Sequence, residues 1–124
     1  MQHQMTYSYV SPSGAISSAV IATGNANLEI NEVINANAVN QQIVACNIPT
    51  ANLQSVTFVA PVAMTIYINA PSTGAPSQTI SLTPGMPFTW FYGNGANPIT
   101  TAITTVYVTS TLGGILNIRA LYNS

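Results

Sequence analysis

Charge is what this chain of 124 residues most lacks: 2% of its residues are Asp, Glu, Lys or Arg, against about 25% in an ordinary soluble domain. There is no Asp and no Lys, and the charged side chains are Glu29, Glu32 and Arg119. A nucleic-acid surface neutralises phosphates with Lys and Arg, and one cation cannot do so, which argues against nucleic acid as a partner. Triad chemistry needs a base oriented by an acid, yet the only His, His3, stands in the first few residues, before any folded element is expected. One Cys, one His and two Glu cannot close a metal shell within one chain. Gly93-Asn94-Gly95 lacks the third glycine and the following helix of a dinucleotide loop, and reads as a turn. Neither an enzyme nor a cofactor or metal is expected. Glu29 and Glu32, three apart, face opposite sides of a strand and read as solvated positions.

Long apolar runs are missing too. None approaches the roughly 18 residues of a membrane span, and the opening MQHQMTYSYVSPSG has neither a basic nor an apolar signal region. The expectation is therefore no membrane anchor, no Sec export, and synthesis in a cytoplasm without a signal peptide. The lone Cys46 has no internal disulfide partner and sits in the apolar run IVAC, where a thiol behaves as a small hydrophobe. No Asn-x-Ser/Thr sequon occurs.

What the chain does have is alternation. In residues 53–70, LQSVTFVAPVAMTIYINA, two period-2 apolar patterns stand back to back, Val56, Phe58, Ala60 and then Met64, Ile66, Ile68, with Pro61 at a corner between them. Residues 1–14 lack periodicity and end in Ser-Pro-Ser-Gly, which reads as an extended arm before a domain spanning 15–124. A first strand is expected over 15–23, a bulged strand within 27–38, and a short one over 42–47. After the central pair, 71–78 is a loop, 79–83 a strand, and Phe88, Trp90 and Tyr92 share one face of an aromatic strand. Residues 99–110 place Val106 and Val108 inward, Gly113-Gly114 turns the chain, and Leu116, Ile118, Ala120 and Tyr122 alternate along the last strand. About eight strands with regular turns predict an all-β, single-domain antiparallel sandwich, jelly-roll-like in outline.

The blocks ANLQSVTFVAPVAMTIYIN, SQTISLTPGMPFTWFYG, NPITTAITTVYVTS and LNIRALY resemble small proteins encoded beside capsid genes in bacteriophages, the capsid decoration or cement proteins. The likeness covers residues 28–122 as a pattern of blocks. It implies a jelly-roll-like sandwich on the outer surface of a phage head, in contact with the major capsid protein at capsomer junctions and assembled as a homotrimer. The expected contact residues are Met5, Tyr7 and Tyr9 on the arm, Tyr67 and Tyr107 on Tyr/Thr strand faces, and Arg119, whose only side-chain ionic partners can be Glu29 and Glu32. Two rival readings stand beside it: a fibre subunit, and a carbohydrate-binding module in which Trp90, with Phe88 and Tyr92, stacks on a sugar served by Asn94 and Asn97. For Trp90 the residues favour burial in the core.

Overall fold

The computed structural model describes residues 2–11, 14–43 and 46–123, and over residues 2–23 what it describes is chiefly the backbone and its pairing. Ten strands and no helix occur among them: β1 (Gln2–Ser11), β2 (Gly14–Thr23), β3 (Ala26–Ile34), β4 (Ala38–Ile43), β5 (Leu53–Val59), β6 (Met64–Ile68), β7 (Gln78–Leu82), β8 (Phe88–Phe91), β9 (Val106–Ser110) and β10 (Gly114–Tyr122). Eight of them form a sandwich of two antiparallel four-stranded sheets, ordered β3-β10-β5-β8 (sheet I) and β4-β9-β6-β7 (sheet II). β1 and β2 pair with each other along their whole length in a sheet of their own. The residues expected as an arm thus supply β1, and the strand expected over 15–23 is its hairpin partner.

The pairing is nested. β3 pairs with β10, β4 with β9, β5 with β8 and β6 with β7, as in one long hairpin folded over. Two further ladders, β10 with β5 and β6 with β9, join these pairs into the two sheets.

The two apolar patterns of residues 53–70 become β5 and β6, which lie in different sheets, so the Pro61 corner carries the chain across the sandwich. The Gly85 N–H donates to the Ala60 carbonyl at 2.8 Å and ties the β7–β8 turn to that corner. Inside, Val56, Phe58, Leu116 and Ile118 of sheet I meet Ile66, Ile68, Val106 and Val108 of sheet II in one buried cluster. Burying each such side chain contributes roughly 1.5–3 kcal/mol, and the rings of Phe58 and Phe88 meet edge to face with centroids 6.1 Å apart.

Several boundaries differ from expectation. The bulge expected within 27–38 lies in β4 instead, where register shifts between Ala38 and Gln41 and Asn40 takes a φ of 52°. The strand expected over 99–110 begins only at Val106; Ile99 and Ile103 are buried from a loop, held by a bridge between Ile103 and Ile48. Asn37, Asn40, Asn52 and Asn69 all adopt positive φ, which Asn tolerates better than most residues. Asn69 also fastens a loop: its Oδ1 accepts the Thr104 N–H at 2.8 Å and its Nδ2 donates to the Ala102 carbonyl at 2.9 Å. Much of the Asn content therefore builds turns.

One buried residue points the other way. Leu121 follows the inward Ala120, so it faces out from sheet I, yet it is 0% exposed, and its cross-strand neighbour Ser55 is buried with it. Gly24, which follows β2, lies so close that a Cβ there would meet Leu121 Cγ at 2.9 Å, and β2 itself passes close to β5 and β10.

Candidate functional site

The sandwich presents two outer faces with different chemistry. On sheet II the rows run straight across the strands. Gln42, Tyr107, Tyr67 and Thr79 stand side by side on β4, β9, β6 and β7. The next row places Thr109 against Thr65 and Thr65 against Ser81, and the Asn40 N–H donates to Thr109 Oγ1 at 3.1 Å. These side chains are half-buried or exposed, and no Asp, Glu, Lys or Arg stands on any strand of this sheet. The expected Tyr67 and Tyr107 are thus direct neighbours in the middle of a neutral, hydroxyl-rich face. Desolvating such a face against another protein leaves no charge to be compensated.

Sheet I carries all three charged residues, Glu29 and Glu32 on β3 and Arg119 on β10. One outer row reads Glu29, Arg119, Thr57, Thr89, with the two threonine hydroxyls 2.8 Å apart. Although Arg119 stands opposite Glu29, its guanidinium reaches along β3: Nη1 donates to the carbonyls of Ile30 and Ile118, each at 3.1 Å, and Nη2 to Asn31 Oδ1 at 3.0 Å. Among the described residues its polar contacts are all to neutral acceptors. Arg119 is remote in register from the Tyr67–Tyr107 pair, which lies on the other sheet. The side chains of Met5, Tyr7 and Tyr9 lie outside the described residues.

The aromatic strand splits. Phe88 is half-buried, Trp90 is 6% exposed and lies in the core, and Tyr92, one residue past the end of β8, is 72% exposed. The turn at Gly93, with φ of 96°, releases the chain from the sheet there. Trp90 and Tyr92 both line a cleft of about 620 Å³, with Thr50, Asn52, Gln54 and Asn97. Of the two amides expected to serve a ligand, Asn97 is committed to the fold: its Nδ2 donates to the Thr50 carbonyl at 3.2 Å and its Oδ1 accepts the Ile99 N–H at 2.9 Å. Asn94 does not line the cleft.

Cys46 is fully buried, and that burial pushes its thiol from an ordinary 9.0 up to about 12. It stays protonated at neutral pH, as an unreactive core side chain does. Among the described residues no three His, Cys, Asp or Glu side chains gather to hold a metal ion, and no buried side-chain polar atom lacks a partner.

Comparison with protein-family models, with curated proteins and with solved structures finds no match to this chain.

Proposed function

We propose that this protein is a structural subunit whose activity is contact, a capsid decoration protein that binds the outer surface of a bacteriophage head, as a homotrimer, and stabilises the junctions of the major capsid protein. The observation that carries the reading is the charge-free outer face of sheet II, where Tyr67 and Tyr107 stand between threonines, serine and glutamine. A monomer kept apart from its neighbours by charge has no use for so neutral a face, whereas one that docks on protein loses little by covering it. The nested pairing of the eight sandwich strands supports the jelly-roll part of the reading, since two interleaved Greek keys have that order. The β1–β2 hairpin supplies a means of attachment: it leaves an outer edge on each strand, and a sheet edge is a template for a strand from another chain.

A decoration protein needs no chemistry. By binding the closed lattice better than dissociated subunits, it stabilises the particle by mass action alone. The test is to add the full chain, and the chain lacking residues 1–23, to undecorated heads of the phage whose genome carries the gene. Bound copies and the temperature of shell disruption are measured at low and high salt. The full chain binds, raises the disruption temperature and resists salt, because few ions are released from a neutral contact. Failure to bind, or light scattering that finds only monomer at micromolar concentration, overturns the reading.

A further inference from the structure

The cleft at the end of β8 is built differently from the sheet faces. The β5–β10 register shifts between Leu121 and Tyr122, so Leu53 takes the inward place opposite Tyr122 and Gln54 is left half-buried at the end of the sheet. Gln54 and the exposed Tyr92 therefore line an open mouth beside the core residues Leu53 and Trp90. Its walls are fixed before any ligand arrives. The Tyr92 N–H donates to the Gln54 carbonyl at 2.8 Å and the Asn123 N–H to the Asn52 carbonyl at 3.0 Å. The Trp90 indole N–H, at the floor, donates to the Gly95 carbonyl at 3.3 Å.

Four features of the mouth limit what could fit. Its volume of about 620 Å³ falls within the roughly 300–1,000 Å³ of small-molecule sites. The Tyr92 ring stands exposed at the rim as a flat apolar platform. Around it, the Asn52 side-chain amide, Gln54 Oε1 and the hydroxyls of Thr50 and Tyr92 have no hydrogen-bond partner among the described residues. No charged side chain lines the cleft. An ionic ligand would be desolvated there without a counter-charge, and a purely apolar one would leave the amides and hydroxyls unsatisfied. A neutral ring with hydroxyls at its edge and C–H groups on its face meets both demands.

We infer that this cleft is a saccharide-binding site for a neutral pyranose, stacked on Tyr92 and hydrogen-bonded by Asn52, Gln54 and Thr50. The site is separate from the sheet II face and does not depend on the capsid reading. It also differs from an arrangement centred on Trp90: the tryptophan is the floor, and the exposed tyrosine is the platform.

The chain has a single Trp, so Trp90 fluorescence reports on the cleft without labelling. The full chain is first applied to an array of immobilised neutral and acidic polysaccharides. Free gluco-, manno-, galacto- and N-acetylglucosamine trisaccharides are then titrated with fluorescence and saturation-transfer NMR readouts. The two arms separate recognition of polymer from recognition of a free oligosaccharide. At least one neutral sugar binds saturably with an affinity of about 1 mM or better and shifts the Trp90 emission. Tyr92→Ala weakens that binding about tenfold or more, Tyr92→Phe keeps it within about threefold, and Gln54→Ala weakens it about threefold or more. Val33→Ala, at an exposed position on β3 that does not line the cleft, changes nothing. Circular dichroism verifies each fold, and Tyr92→Phe with Gln54→Ala decides the matter should Tyr92→Ala not fold. Absence of binding by every neutral sugar, preference for acidic ones, or affinity untouched by the cleft variants overturns the inference.

Discussion

The two sheets are alike inside and unlike outside. Each turns a row of fully buried aliphatic side chains inward, Val56, Leu116 and Ile118 from sheet I and Ile66, Val106 and Val108 from sheet II. Outside, sheet I carries Glu29 and Arg119, together with the buried Leu121 and Ser55, while sheet II shows neutral polar and tyrosine side chains and the exposed Val39. The interior is dictated by the need to pack two layers about 10 Å apart. The exterior is free to differ: sheet I carries Glu29 and Arg119 on its outer face, and in the proposed docking reading the neutral face of sheet II is the one offered to a partner.

The largest effects test the likeness. Phe58→Ala in sheet I and Ile66→Ala in sheet II each remove a fully buried side chain, costing about 3–5 and about 2–5 kcal/mol respectively in denaturant unfolding. A cost below about 1 kcal/mol at either position would show that one sheet is dispensable to the core. Cys46 lies on the connection that carries the chain from β4 in sheet II to β5 in sheet I, and it makes the interior sensitive to alkali. Its thiol ionises at 9.0 when unfolded and at about 12 when folded, so the folded state holds the proton more tightly. The stability this gives is complete below pH 9 and is lost as pH rises toward 12, by about 4 kcal/mol at most. Cys46→Ala removes that limb of the pH–stability curve; an unchanged limb would mean that the thiol is not its source.

Smaller effects test the unlikeness. Deleting residues 1–23 removes β2 from beside β5 and β10 and lowers stability by about 1.5–3 kcal/mol. No change in melting temperature would mean that β2 contributes nothing to the sandwich. Placing a charge on each outer face sharpens the contrast: Tyr107→Arg on sheet II abolishes attachment to heads, whereas Asn117→Arg on sheet I leaves it intact, and each changes folding stability by about 1 kcal/mol or less. Equal binding by the two variants would erase the functional difference between the faces. Least of all, Arg119→Ala costs about 1 kcal/mol through its lost hydrogen bonds to Ile30, Ile118 and Asn31. A double-mutant cycle with Glu29→Ala returns a coupling near zero, since the two side chains do not meet, and a coupling above about 0.5 kcal/mol would contradict the geometry.

Sequence reading succeeds here where period 2 is undisturbed. In β5, β6 and β7 the inward positions stand out against mostly polar outward ones, and in β10 the alternation of Leu116, Ile118 and Ala120 is legible although Ile115 and Leu121 stand at outward positions. It falters where tertiary structure overrides the pattern. In β3 the inward positions are Leu28, Ile30, Glu32 and Ile34, and a carboxylate among them at a sheet edge hides the alternation. Ile99 and Ile103 are core residues on a loop, four apart, with no strand spacing to announce them. Trp90 and Tyr92 have the same parity, yet only Trp90 is in the core, because the chain leaves the sheet between them and Gly93. The cleft residues Asn52 and Gln54 carry no motif at all. They matter only because β5 and β8 bring the two ends of separate strands together. The hairpin was equally hidden, since nothing in residues 2–23 names a partner strand, whereas the neutral composition that motivates docking was plain from the start.

The nested order of the strands also sets a timetable for the chain. β6 and β7 are the only sandwich strands that pair with an immediate neighbour in sequence, so the sandwich closes from the β6–β7 turn outward, ending with β3 against β10. On the ribosome, β3, β4 and β5 emerge with no ladder to join until β10, β9 and β8 follow. Such long-range closure folds slowly, in about milliseconds to seconds for sheet proteins of this kind. During that interval the apolar faces of three strands are open to other nascent chains.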